Sequence, residues 1–186
     1  MIESVFVTLF PASFLIVLFG GGALSRRKKV DQDGEPPIDR RVFYSSKYSI
    51  VLLWAAMVLR SWGVNLSFMG VPGPVKWAAL CLWVFGFLLL FVGRFGLGTF
   101  FRLGSPREQT GLVTDGIFGL SRNPMYVGVY ATIVASMLYT LSPIVFLLGL
   151  FVIAVHHRIV LAEERFLMSA FGAEYADYRG RVRRYL

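Results

Sequence analysis

The sequence predicts an all-α integral membrane protein with about five transmembrane helices and a cytoplasmic C-terminal helical segment, on three observations. Hydrophobic residues form 56% of the 186-residue chain, above the roughly 45–50% usual in soluble domains, and the mean hydropathy is +0.63. Apolar runs recur at spanning length. An apolar helix needs about 20 residues to cross the hydrocarbon core; residues 4–24, 48–69 and 75–97 meet that length, while 125–141 and 144–160 are shorter and are separated by Pro143. Lys and Arg, finally, fall almost entirely on one side of this arrangement, with Lys76 the main exception: Arg26 to Lys29, Arg40, Arg41 and Lys47 after the first run, Arg102 and Arg107 after the third, and Arg165, Arg179, Arg181, Arg183 and Arg184 after the fifth. By the positive-inside rule the N-terminus is outside and the C-terminus cytoplasmic, with short outer turns at 70–74 and 140–143.

The first run lacks a basic leader and a small-residue cleavage site, so it reads as a retained helix. Residues 31–37 mix charge with Gly and Pro and read as a flexible loop. The second run carries Arg60 and the third Arg94; an arginine at membrane depth calls for a pairing or functional role, although Arg94 is near enough to the end of its helix to snorkel. Cys81, the single cysteine, excludes an intrachain disulfide and reads as a small core residue. Pro124 fits the first turn of the fourth helix, where its missing N–H is harmless. Beyond the fifth run, Phe166, Leu167, Ala170 and Phe171 recur at helical spacing and Gly172 is placed to end that helix. A second short helix with Tyr175, Tyr178 and Val182 on one face then packs back over the first. Two parts result: residues 1–97, with three helices and a basic loop, and 98–186, which holds most polar residues able to do chemistry.

The net charge of +8 sits between and after apolar segments instead of forming an aromatic-interleaved basic stripe, which excludes a nucleic-acid partner. No strand pattern exists, and with it drop out the nucleophile elbow, the Walker loop and the Rossmann fingerprint. His156 and His157 are adjacent and diverge on a helix, so a metal site is not expected. Two features remain. Arg122-Asn123-Pro124 combines a lone arginine with the free N–H groups of a helix start, which reads either as a cap at the interface or as an anion site. Glu163-Glu164 places two carboxylates at the end of an apolar stretch. Adjacent residues point roughly 100° apart on a helix, so one of the two faces a ligand while the other faces solvent or Arg165.

Four segments make the chain resemble a known superfamily: Leu112-Val113-Thr114-Asp115-Gly116-Ile117-Phe118, Ser121-Arg122-Asn123-Pro124-Met125-Tyr126, Glu163-Glu164, and Phe171-Gly172-Ala173-Glu174-Tyr175. Over roughly residues 94–184 it is similar to the isoprenylcysteine carboxyl methyltransferase and phospholipid methyltransferase superfamily. The resemblance implies an enzyme that uses S-adenosylmethionine, with the cytoplasmic tail completing the cofactor pocket. It implies cofactor binding by Glu163 first and Glu164 second, by Asn123 and Pro124, by Gly98 of the Gly96-Leu97-Gly98 pair, and by Leu112, Val113 and Gly116 around an adenine ring. Arg122 would orient an acceptor carboxylate or phosphate, and Tyr126 would line the junction. The superfamily motif often has His where Asn123 stands; Asn keeps a hydrogen-bonding side chain but cannot become cationic. The implied acceptor is lipid-like and enters from the bacterial or archaeal cell membrane: an isoprenylcysteine-like carboxylate, a phospholipid amine or a small thiol. An NADPH-dependent membrane reductase of related architecture and a non-catalytic membrane adaptor are the alternatives.

Overall fold

A computed structural model describes residues 1–26, 37–98 and 111–186, with the backbone alone over 19–26. Residues 31–36 of the predicted loop, together with Arg102 and Arg107, lie outside the described residues. The described residues form five α-helices: α1 Ile2–Arg26, α2 Arg40–Ser61, α3 Gly73–Leu97, α4 Pro124–Thr140 and α5 Pro143–Arg181, with a short 3₁₀ turn at Gly116–Gly119. Among the described residues there is no strand. Three of the helices, α2, α3 and α5, are long and apolar enough to cross a membrane. The 17 residues of α4 rise about 26 Å.

α2 begins and ends eight residues earlier than the hydropathy run 48–69 suggested. Asp39 caps it, its Oδ1 accepting from the backbone N–H of Arg41 at 3.0 Å and of Val42 at 3.1 Å. Gly63, at φ +96°, takes the chain out of the helix. Arg40, Arg41 and Lys47 depress the hydropathy of the first turns, while Val64, Phe68 and Met69 prolong the apolar signal past the real end. Arg60 therefore sits in the last turn of α2, where its Nε donates to Ser67 Oγ at 2.8 Å. Its position at a helix end removes the need for a partner at mid-membrane depth.

Lipid is as apolar as leucine, so close backbone approach and interhelical hydrogen bonds must hold the bundle together where the hydrophobic effect does not. α3 and α4 show both devices. Gly86 and Gly128 meet at their crossing, and a Cβ on either would come within 2.7 Å of the other's carbonyl oxygen. Trp54 Nε1 of α2 donates to Thr132 Oγ1 of α4 at 3.0 Å, and Trp83 Nε1 of α3 donates to the Val7 carbonyl of α1 at 3.2 Å. Trp83, Phe87, Met57 and Leu53 are fully enclosed by these contacts. Cys81 departs from its expected place: Leu80 and Trp83 fill the inner face of α3, and the cysteine lies exposed on the other side.

At one end of the bundle Glu3 pairs with Lys76 at 2.7 Å and accepts a hydrogen bond from Tyr139. α5 leaves that end and runs on past the apolar stretch 144–160 as far as Gly172. That residue's φ of 48° and ψ of −117° are open to glycine and strained for other residues, and there the helix axis kinks as the sequence predicted. Tyr175 and Tyr178, on the short helical segment beyond it, are buried at 1% and 3% exposure.

Candidate active site

At the end opposite Glu3, a cavity of about 500 Å³ opens between the helices. Phe14, Leu15 and Leu18 of α1, Ile50 and Trp54 of α2 and Leu90 of α3 give it an apolar side. Its polar side comes from Arg122 and Asn123 ahead of α4, Tyr126 in the first turn of α4, Glu163 of α5 and Lys47 of α2. Leu112 and Val113 close one edge.

The two glutamates have separate fates, as their divergence on a helix demands. Glu164 is turned into an ion-pair network: its Oε1 accepts from Arg122 Nη2 at 2.9 Å and Nε at 3.2 Å and from Asn123 Nδ2 at 3.2 Å, while its Oε2 accepts from Arg184 Nη2 at 2.9 Å. Burial alone would raise this carboxyl, but the Arg184 and Arg122 hydrogen bonds outweigh it and hold Glu164 below the usual carboxylate range. It thus faces neither solvent nor Arg165, contrary to the sequence reading of the second glutamate. Glu163 instead lines the cavity, and its Oε1 accepts from Tyr126 Oη at 2.9 Å. Just past the apolar stretch 144–160, burial pushes its carboxyl up to about 7, against the lowering effect of the Tyr126 hydrogen bond and the Lys47 charge.

The Glu164 network is also what folds the tail back. Arg122 donates its backbone N–H to the Arg183 carbonyl at 2.9 Å and its Nη1 to the Val182 carbonyl; Ser121 Oγ and Asn123 Nδ2 both reach the Arg184 carbonyl; Tyr178 Oη donates to the Phe118 carbonyl at 2.7 Å. Arg122 lies on the cavity wall with its guanidinium held in this clasp, its side chain 7% exposed. Asn123 takes the N-cap position of α4 without a side-chain capping bond, which leaves the N–H groups of the first turn available, Pro124 having none.

Of the residues singled out in the sequence, Leu112, Val113, Arg122, Asn123, Pro124, Tyr126 and Glu163 converge on the cavity; Glu164, Gly98 and Gly116 are not on its wall. Gly98 ends α3 at φ 50° and Gly116 opens the 3₁₀ turn at φ 60°, so both serve as turns. Sequence reasoning missed Lys47, His156 and Tyr175 as cavity residues and Arg184 as the second partner of Glu164. His156 was findable, since it precedes Glu163 by seven positions and so shares its helix face. Among the described residues no group of three His, Cys, Asp or Glu is placed to hold a metal ion.

A cavity with a carboxylate on one side and hydrocarbon on the other, set among apolar helices, suits an integral membrane enzyme that joins a charged ligand to an apolar one. The chain belongs to the phospholipid methyltransferase family, whose model matches residues 75–174 and so takes in α3, α4 and most of α5. Membership makes it a membrane methyltransferase in class. No curated protein matches the chain.

Proposed function

We propose that the chain transfers a methyl group from S-adenosylmethionine to a hydrophobic acceptor held in the membrane, a phospholipid amine or an isoprenylcysteine-like carboxylate. The observation that carries this reading is Glu163: a carboxylate on the cavity wall, bonded to a neutral tyrosine, beside a second glutamate already neutralised by two arginines. A carboxylate so placed suits the ammonium of an amino-acid moiety. The free N–H groups at the start of α4 suit its carboxylate, and Leu112 and Val113 suit a flat apolar ring. The cavity volume of about 500 Å³ falls within the roughly 300–1,000 Å³ of small-molecule sites. These residues fit the cofactor.

S-adenosylmethionine, when bound, supplies a methyl group on a sulfonium that is already activated for displacement. The protein's part is then positioning and exclusion of water. Glu163 and the α4 N-terminus anchor one end of the ligand; the apolar side formed by α1, α2 and α3 receives the acceptor; the Arg122–Glu164–Arg184 clasp keeps the 111–123 segment and the tail closed over the junction, with Tyr126 bridging the two sides. We assign residues 98–186 as the methyltransferase core and residues 1–97 as the N-terminal helices that complete its apolar side.

We further propose five membrane crossings with the N-terminus outside and the site cytoplasmic, supported by the distribution of Lys and Arg. Cysteine introduced at Ser169 in a Cys81→Ser background should resist an impermeant thiol reagent in intact cells; ready labelling would invert the topology. The reading as a whole is tested by calorimetry on the purified chain in nanodiscs. S-adenosylmethionine should bind and NADPH should not, whereas binding of NADPH alone would replace this function with a reductase.

A further inference from the structure

We propose that His156 is the proton acceptor when the methyl group is transferred to an amine. The inference rests on the proposed methyltransferase function and identifies a further catalytic residue within it. His156 is 4% exposed on α5 and lines the cavity. Its Nδ1 lies 2.9 Å from the Val152 carbonyl. A carbonyl only accepts, so Nδ1 carries the hydrogen and Nε2 the lone pair. That carbonyl, four residues earlier on the helix, is already the acceptor for the His156 backbone N–H. The ring hydrogen bond therefore satisfies nothing that would otherwise be orphaned; it fixes the tautomer and turns the far edge of the ring away from the helix backbone.

Nε2 has no partner among the described residues. The Tyr126 ring centroid is 6.0 Å from that of His156, and the apolar side chains of Phe43, Val129 and Ile159 line the same cavity. A basic nitrogen in such a wall is a loss unless a donor arrives from the cavity. His157, next along, points elsewhere and meets Tyr185 Oη at 2.8 Å on the exposed side. His156 also stands two helical turns from Glu163 on the same face, about 10 Å along the axis, on the membrane side. The cofactor's anchor and the basic nitrogen are thus at opposite ends of one row. The titratable groups that share the cavity with His156 are Tyr44, Lys47 and Tyr48 of α2, Arg122 ahead of α4, Tyr126 of α4, and Glu163, Tyr175 and Tyr178 of α5.

The chemistry of an amine acceptor requires such a group. An ammonium headgroup has no lone pair; His156 Nε2 takes one of its protons, the freed pair forms the new N–C bond, and the S–C bond breaks with its electrons left on sulfur. One proton is released per methyl transferred, and the imidazolium returns it to water as the product departs. Burial and the like charge of the sulfonium weigh on the ammonium and the imidazolium alike; the proton moves because the pair it frees is consumed at once in the new N–C bond. A carboxylate acceptor would shed no proton and would leave His156 without a task.

The test uses the full chain in nanodiscs, with ethanolamine-headgroup lipid and its trimethylated choline counterpart as probes. In the wild type, the ¹⁵N resonance of His156 Nε2 should shift on addition of the ethanolamine lipid and stay in place with the choline lipid, which has no N–H to donate. His156→Gln should bind S-adenosylmethionine within about 2-fold of wild type while its turnover falls by about 10²–10⁴-fold, the usual contribution of general acid–base catalysis. The residual rate should climb steadily with pH where the wild-type rate has levelled. An unmoved Nε2 resonance with ethanolamine lipid, or turnover and pH profile in His156→Gln matching wild type, would overturn the assignment. Because the resonance is read in the wild type, a variant that fails to fold does not rescue the idea. Loss of the methyltransferase reading itself would show separately, as absence of S-adenosylmethionine binding to the wild type.

Discussion

Two adjacent glutamates of identical chemistry should give opposite phenotypes when each is changed to glutamine. At Glu163 the amide oxygen can still accept from Tyr126 Oη, now 2.9 Å away, so the packing is kept and only the charge goes. The lost interaction is a charge-assisted hydrogen bond to a ligand ammonium, about 1.5–3 kcal/mol, or a roughly 10- to 150-fold rise in the S-adenosylmethionine Kd. Stability should hold or improve, because this carboxyl is pushed up to about 7 by burial and ionising it at neutral pH works against the fold. Glu164→Gln removes one charge from a network in which the Arg122 and Glu164 side chains are 7% and 9% exposed and that of Arg184 is 34% exposed. Breaking a buried pair by deleting one partner costs about 3–5 kcal/mol; partial exposure of Arg184 places the expected loss toward the lower end. Thermal unfolding in detergent and calorimetry with S-adenosylmethionine give the four numbers required. Equal cofactor affinity in Glu163→Gln and wild type, or a Glu164→Gln protein as stable as wild type, would refute this division of labour.

Other consequences concern the clasp, the helix crossing and pH. Arg122→Lys keeps the charge but loses the planar fork that reaches Glu164 and the Val182 carbonyl together; stability should fall by about 1–3 kcal/mol, and a variant with wild-type melting but selectively lowered turnover would instead return Arg122 to acceptor binding. Gly128→Ala would drive a methyl to 2.7 Å from the Gly86 carbonyl and should lower the yield of monodisperse protein sharply, whereas Gly180→Ala, with open space around it, should have little effect. For pH, Glu163 must be ionised to hold a cation and its folded value of about 7 lies above the ordinary 4.5. Cofactor affinity should therefore weaken as pH falls through 7, approaching about tenfold per unit well below it, and Glu163→Gln should abolish that dependence. In the ligand-free protein the same group favours the fold most below pH 4.5 and progressively less up to 7, the reverse of an ion-paired carboxylate such as Glu164.

Much of this was legible in the residues. Composition and apolar run length led to an all-helical membrane chain, and Gly172 and the Tyr175–Tyr178 pair marked the kinked tail because backbone freedom and helical spacing are local properties. The limits of α2 were not legible, since hydropathy averages over a window while the Asp39 cap and Gly63 act at single positions. For the site, Glu163 and Tyr126 emerged from separate segments that meet only in space. Divergence of adjacent glutamates could be deduced, but not that Glu164 would find Arg184, twenty positions on, because the turn at Gly172 sets where the tail returns. Lys47 was hidden by the same averaging that misplaced α2: counted as a loop charge, it lies on a helix and on the cavity wall.

The central claim, methyl transfer from S-adenosylmethionine to a membrane-held acceptor at the Glu163 cavity, is tested most directly by incubating the purified chain in ethanolamine-lipid nanodiscs with S-adenosylmethionine carrying a labelled methyl group. The account predicts label in the lipid fraction, on the headgroup nitrogen, and its near disappearance with Glu163→Gln at cofactor concentrations below the variant's Kd. Label confined to the aqueous phase in the wild type, while the protein binds the cofactor and remains folded, would contradict the assignment of a phospholipid amine; label transferred equally well by Glu163→Gln under those conditions would contradict the site.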